Sequence, residues 1–214
     1  MTATHGRTGR PPLTEERKAQ IRLEIARAAV GLFVEQGVAA TTGEQIGRAV
    51  GVSARTVWRY FPSKESCVRP LLTAGIDAIA AALREWRPGR PLGETFARNL
   101  ADERLVVGPE PTTVGALVRL TRTEPGLRAV WLQTYDEAEP AFARALAERA
   151  ERAGLPADGL RPAIQAAMFN AALRAAVEQH AWRGTDTATD PAAVRAELAE
   201  ALHAALAVVS EGLT

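Results

Sequence analysis

Apolar residues recur at helical spacing along most of this chain, and the pattern stops only where glycine or proline stands. Ile21, Ile25, Ala28 and Leu32 share one helix face and run into Gly37. Leu72, Ile76, Ile79, Leu83 and Trp86 do the same up to Pro88 and Gly89. A half-buried strand would need strict apolar–polar alternation, and none is found. Composition agrees, since 43 of the 214 residues are alanine and only 5% are aromatic. Alanine is the best helix former and a poor strand former. The expected fold class is all-α.

The breaks divide the chain. Residues 1–13 are rich in Gly, Pro and Thr, carry Arg7 and Arg10, and read as a flexible basic arm. Thr14 caps a first helix that ends at Gly37. Thr42 caps a second over 43–50, Ser53 a third over 54–60, and Ser63 opens a long fourth. Further helices are expected near 92–106, 112–122, 126–152, 160–183 and 191–211, with prolines mostly at their starts, where the missing N–H costs nothing. No linker separates the halves. The seam is expected within the fourth helix, dividing a domain 14–66 from a domain 67–214, with the arm 1–13 ahead of both.

Charge is distributed unevenly: residues 1–70 carry +5 and the remainder −4. A basic first third suggests a polyanionic partner for that part alone. There is no secretory signal and no uninterrupted apolar run of bilayer length, so a cytoplasmic protein with no membrane role is expected. The single cysteine, Cys67, excludes an intrachain disulfide. His5, His180 and His203 accompany no catalytic motif, and no ligand spacing suits a metal. Neither catalytic residues nor a cofactor are expected.

The informative segment is TTGEQIGRAVGVSARTVWRYF, residues 41–61. It fits a helix-turn-helix. Gly47 is small where two helices cross, and Gly51 suits a left-handed turn. Ile46, Val50, Val52 and Val57 lock one helix on the other. The second helix then turns Arg55, Thr56, Trp58, Arg59 and Tyr60 outward. Two arginines beside two large aromatics make a poor solvent face and a good DNA face, able to meet phosphates, base edges and thymine methyls. The competing reading is an ordinary helical hairpin with Trp58 and Tyr60 in its core.

The stretch from Ile21 to Leu72 closely resembles the DNA-binding domain of TetR-type transcriptional regulators. Thr42-Gly43-x-x-Ile46, Gly51-Val52-Ser53 and the run from Trp58 to Glu65 carry the likeness most strongly. The resemblance implies a three-helix DNA-binding domain joined through a long helix to a helical ligand-binding and dimerisation domain. It further implies a homodimeric repressor of a palindromic operator on double-stranded DNA, released by a small molecule. Thr42 matches a phosphate contact. Ser53, Ala54, Arg55, Thr56, Trp58, Arg59 and Tyr60 fall on recognition-helix positions, with Ser53 also expected on phosphate. Lys64 matches a phosphate-binding lysine. Trp58 stands where tyrosine is usual.

In the second half, Trp131, Tyr135 and Phe142 recur at helical spacing beside Pro140, which should kink their helix. Core packing is the plainer explanation of any one of them. Together they are candidate lining for a mostly apolar effector, with Trp86, Phe96 and Met168 as further candidates. Arg119, Arg122 and Arg128 offer an alternative, selection of an anionic ligand. The helices near 160–183 and 191–211 are apolar on two faces. On the first, Ile164, Met168, Ala171 and Ala175 form one stripe and Phe169, Leu173 and Ala176 another. On the second, Val194, Leu198, Ala201, Ala205 and Val208 form a stripe flanked by Leu202, Leu206 and Val209. A helix apolar on two faces must bury both, which predicts a homodimer through these helices. The rival class, a helical enzyme or ligand carrier, would need a catalytic or cofactor constellation beyond residue 70.

Overall fold

A computed structural model of the chain describes residues 14–86, 111–183 and 190–211. Among them are eight α-helices and no strand. The expected arm with Arg7 and Arg10, the helix near 92–106 and Phe96 lie outside the described residues. In chain order the helices are α1 (Glu15–Gln36), α2 (Gly43–Ala49), α3 (Ala54–Tyr60), α4 (Arg69–Glu85), α5 (Pro111–Leu120), α6 (Pro125–Arg152), α7 (Leu160–Arg183) and α8 (Pro191–Glu211).

Local chemistry sets the boundaries. The Thr14 hydroxyl accepts from the Arg17 amide at 3.3 Å, and Glu15 and Glu16 occupy the first turn of α1, where its dipole favours acids. Thr42 caps α2 more tightly. Its hydroxyl accepts from the Gln45 amide at 3.3 Å, and the Gln45 side chain accepts from the Thr42 amide at 2.8 Å. This reciprocal capping box satisfies two otherwise orphaned donors. The fourth helix departs from the expected start at Ser63. A 3₁₀ turn, Glu65–Val68, comes first, and α4 proper opens at Arg69 with Pro70 in its first turn.

One hydrophobic core runs from Ile25 and Phe33 in α1 through Ile46, Val57 and Leu71 to Phe142, Leu173 and Leu206. Averaged over a window, Glu65–Glu85 is long and apolar enough to cross a membrane, although Arg69, Asp77 and Arg84 interrupt it. In this fold its apolar residues pack inside the protein: Leu71, Leu72, Ile76, Ala80, Ala82 and Leu83 are all buried. Helix α4 lies along α6 and is tied to it at both ends. Arg69 pairs with Glu137 near the start. At the far end the Arg149 guanidinium sits 3.4 Å from the Trp86 ring centroid, and Arg152 donates to the Arg84 carbonyl at 2.5 Å.

Candidate nucleic-acid interface

The turn between α2 and α3 is made by two glycines. Gly51 adopts φ +72°, where an L side chain is strained. Gly47 has no room for one, because a Cβ there would lie 2.6 Å from the Val52 carbonyl oxygen. The Val52 amide in turn donates to the Gly47 carbonyl at 2.8 Å. Ile46 and Val57 are fully buried beneath the turn, while Val50 and Val52 are half-buried against the same core. This packing fixes α3 on α2 and leaves one face of α3 outside.

That outer face carries Arg55, Trp58 and Arg59, all exposed, with Ala54, Thr56 and Tyr60 half-buried. Trp58 is 43% exposed and rests against Gly43 of α2. Two guanidinium groups approach the Tyr60 ring, Arg22 at 5.3 Å and Arg59 at 5.1 Å from its centroid. Both lie within cation–π range of the ring, which concentrates positive charge around it. Exposed Trp58 is not a core residue of a plain hairpin, whereas Tyr60 packs against the edge of the core. Arg22, a full helix away in sequence, was not legible as part of this surface, because α1 packing decides which of its cations reaches Tyr60.

Thr42 and Ser53 both act as N-caps. The Ser53 hydroxyl accepts from the Thr56 amide at 3.2 Å and lies 3.0 Å from the Thr56 hydroxyl. A capping hydroxyl accepts through one lone pair, and its proton is a separate donor. Among the described residues the Thr42 cap leaves that donor unengaged, whereas Ser53 shares a hydroxyl–hydroxyl contact with Thr56. The amide group of Gln36 exchanges hydrogen bonds with Gln45 at 3.0 and 3.3 Å and bolts the capped end of α2 to α1. Lys64 is engaged differently from the phosphate contact the resemblance implies. Its ammonium donates to the carbonyls of Val38 (2.5 Å), Ala39 (3.3 Å) and Thr41 (3.3 Å). All three protons are spent on the α1–α2 loop.

Residues 25–71 match the family described as bacterial regulatory proteins, tetR family. Over 75% of its length the chain is 33% identical to the HTH-type transcriptional regulator TcmR of Streptomyces glaucescens, covering 73% of that protein. The chain belongs to the TetR family. It is a DNA-binding transcriptional regulator, as the relatives it matches are. The HTH-type transcriptional repressor KstR2 of Rhodococcus jostii (strain RHA1) is 35% identical over 68 residues, 32% of this TetR-family chain and 33% of the relative. Among solved structures, the transcriptional regulator FadR from Bacillus subtilis in complex with stearoyl-CoA shares the fold. It has TM-score 0.51 and 18% identity, covering 86% of this chain and 98% of that one.

Away from the helix-turn-helix, the structure brings Trp131, Tyr135 and Phe142 into one buried row on α6. Trp131 and Tyr135 rings lie 4.5 Å apart, and Phe142 meets Phe169 edge to face at 5.1 Å. Trp86 caps α4 under Arg149. Met168 is not with them: it shares the exposed stripe of α7 with Ile164, because Ala166, Phe169 and Leu173 take the inward positions. Helix α6 continues through Pro140 without a break. The Asn170 amide reaches it there, donating to the Tyr135 carbonyl at 3.0 Å and to Glu139 at 2.9 Å.

Sequence reading missed the polar centre of this region, Glu178. Its Oε1 accepts from Arg128 (2.5 Å), Trp131 (2.7 Å) and Arg174 (3.2 Å). Burial alone would raise this carboxyl, but those three donors outweigh it and hold Glu178 below the ordinary carboxylate range. Arg128 is thereby committed inside the protein. Tyr135 is displaced upward, first by burial and then by the Glu178 charge. Cys67 is fully buried and its thiol is pushed up to about 12 by burial and by Glu65, which disfavours a nucleophilic role. Among the described residues no group of three His, Cys, Asp or Glu could hold a metal.

Proposed function

We propose that this chain is a cytoplasmic repressor, not an enzyme, that occupies a palindromic operator as a homodimer and leaves it when a small molecule binds. Residues 14–66 would read DNA, and residues 67–214 would dimerise and sense the effector. The observation that carries the reading is the outer face of α3, where exposed Arg55, Trp58 and Arg59 stand in a row over a rigid glycine turn. Arg55, Thr56, Trp58 and Tyr60 are assigned to sequence readout, with Ala54 and Arg59 beside them. Thr42 and Ser53 are assigned to phosphate through their exposed hydroxyls at the N-termini of α2 and α3. Lys64 supports this surface by holding the α1–α2 loop.

Dimerisation is supported by the two faces of α7. Phe169, Leu173 and Ala176 are buried in the chain's own core, while Ile164 (53% exposed), Met168, Ala171 and Ala175 form an outer apolar stripe. On α8, Val194, Leu202 and Leu206 turn inward and Val208 is exposed. The outer stripes suit a second copy of the chain, and the alanines permit close approach of helices. A palindrome read by helix-turn-helix dimers requires recognition helices about 34–36 Å apart, or a multiple of that spacing.

For release, the candidate sensing core is the Trp131–Tyr135–Phe142 row with its few polar neighbours, Glu178 and Asn170. An apolar site with a small number of placed polar groups is the usual form of a ligand pocket. FadR of Bacillus subtilis, of the same fold, is solved in complex with stearoyl-CoA, which supports a ligand role for this half. Repacking of α6 would be transmitted to α4 through Arg69–Glu137 and Arg149–Trp86, and from the 3₁₀ turn through Lys64 to the α1–α2 loop. A hundredfold preference of the effector for the DNA-free state corresponds to about 2.7 kcal/mol of coupling.

The test is selection of bound DNA from a random duplex library by the full chain, followed by a thermal-shift screen of hydrophobic metabolites. The proposal expects an inverted repeat to be enriched and at least one stabilising compound to lower affinity for it. Enrichment of no sequence, or stabilising compounds none of which alters DNA affinity, would count against it.

A further inference from the structure

We infer that Glu44 is a base-reading residue whose carboxylate accepts a hydrogen bond from the exocyclic amino group of a cytosine in the major groove. The inference rests on the proposed reading of the α3 face as the DNA-contacting surface. Glu44 lies in the first turn of α2. With Ala54, Arg55, Trp58 and Arg59 it lines a concave patch of about 560 Å³. The patch spans both helices, so a base edge that enters it meets side chains from each. Its α3 wall is two cations and an indole, and its α2 wall is one carboxylate.

The Glu44 carboxylate is exposed, and no hydrogen bond or ion pair among the described residues occupies it, although Arg55 and Arg59 line the same patch. A bare anion on a surface that approaches phosphates weakens binding to every sequence by repulsion. That penalty is offset where the oxygen meets a donor. In the major groove the donors are the amino groups of cytosine and adenine, and a carboxylate, which only accepts, pairs with cytosine N4. Adenine sets an acceptor beside its amino group and suits an amide instead. Position 43 adds no side chain to block the approach, since Trp58 lies against the bare Gly43 backbone.

The experiment measures fluorescence anisotropy of the full-length wild type, Glu44→Ala and Glu44→Gln on the selected duplex and on each of its single base-pair variants. Glu44 is on the surface, and thermal melts of both variants establish that they are folded. Wild type should prefer cytosine at one half-site position by about tenfold. Glu44→Ala should lose that preference alone and bind scrambled duplex at least as well as wild type. Glu44→Gln should move the preference at the same position to adenine. The inference is overturned if Glu44→Ala changes affinity for all duplexes by one common factor. It is also overturned if the only preference lost is the one Arg55→Ala abolishes, which would make Glu44 a positioning residue for that arginine. A wild type without any sequence preference would overturn both this inference and the reading beneath it.

Discussion

The indole of Trp58 lies against Gly43 so closely that a Cβ at position 43 would stand 2.1 Å from its Cζ2 and 2.4 Å from its Cε2. The pair joins the first residue of α2 to the recognition helix across the turn. Because Trp58 is half-exposed, it can swing away when displaced, so Gly43→Ala should fold. Alanine favours helix over glycine by up to about 1 kcal/mol, so the melting temperature should hold or rise. DNA affinity should nevertheless fall, as Trp58 loses its pose. A double-mutant cycle with Trp58→Ala reads the coupling. Equal DNA affinity of Gly43→Ala and wild type would separate the contact from function.

Lys64 makes the opposite trade between stability and DNA contact. With its three protons on loop carbonyls, Lys64→Met should lower stability by about 1.5–3 kcal/mol, the usual range for losing hydrogen bonds to a charged group. DNA affinity should fall equally for all sequences, and the slope of log affinity against log salt should change by much less than one. A slope change near one, without a drop in melting temperature, would return Lys64 to the phosphate backbone.

Glu178 predicts an acid limb in the stability profile. Its folded carboxyl titrates below the ordinary value of 4.5, so its contribution is complete above that pH and is lost as pH falls through the lower folded value. Glu178→Gln should cost about 3 kcal/mol near neutrality, since Arg128 and Arg174 lose a buried partner. It should also flatten the melting-temperature profile on the acid side. An unchanged acid limb in the variant would show that other carboxylates set it.

The two faces of α7 should separate assembly from folding. Ile164→Asp places a charge on the exposed stripe and should yield a folded monomer by light scattering at micromolar concentration. Phe169→Ala, which opens a hole against Phe142, should instead cost about 3–5 kcal/mol of stability. A wild-type monomer at that concentration would remove the basis for palindrome reading.

Most of the helical layout was legible because each boundary is set by a local device: Thr14, Thr42 and Ser53 as caps, Gly51 as the turn and prolines at helix starts. The capping box was legible too, in the Thr42-x-x-Gln45 spacing, yet only the cap itself was read from it. The start of α4 was not, since a 3₁₀ turn and an α-helical first turn share one apolar pattern. The recognition surface was readable within residues 53–60, where α3 alone decides what faces out. Arg22 and Glu178 escaped, as did the loop partners of Lys64, because the contacts span 38, 4–50 and 23–26 residues and tertiary packing alone selects them. The separation of Met168 from Trp131 was hidden for the same reason: a helix apolar on two faces does not say which face is inside.

Sequence reading by the outer face of α3 is tested most directly at Arg55. The measurement is the ratio of affinities for the selected and scrambled duplexes at one salt concentration, for wild type and Arg55→Ala. An arginine that reads a base edge is worth about 1–3 kcal/mol of discrimination, so the ratio should fall roughly tenfold or more while scrambled-duplex affinity changes little. An unchanged ratio in a folded Arg55→Ala variant would contradict the assignment of this face to sequence reading.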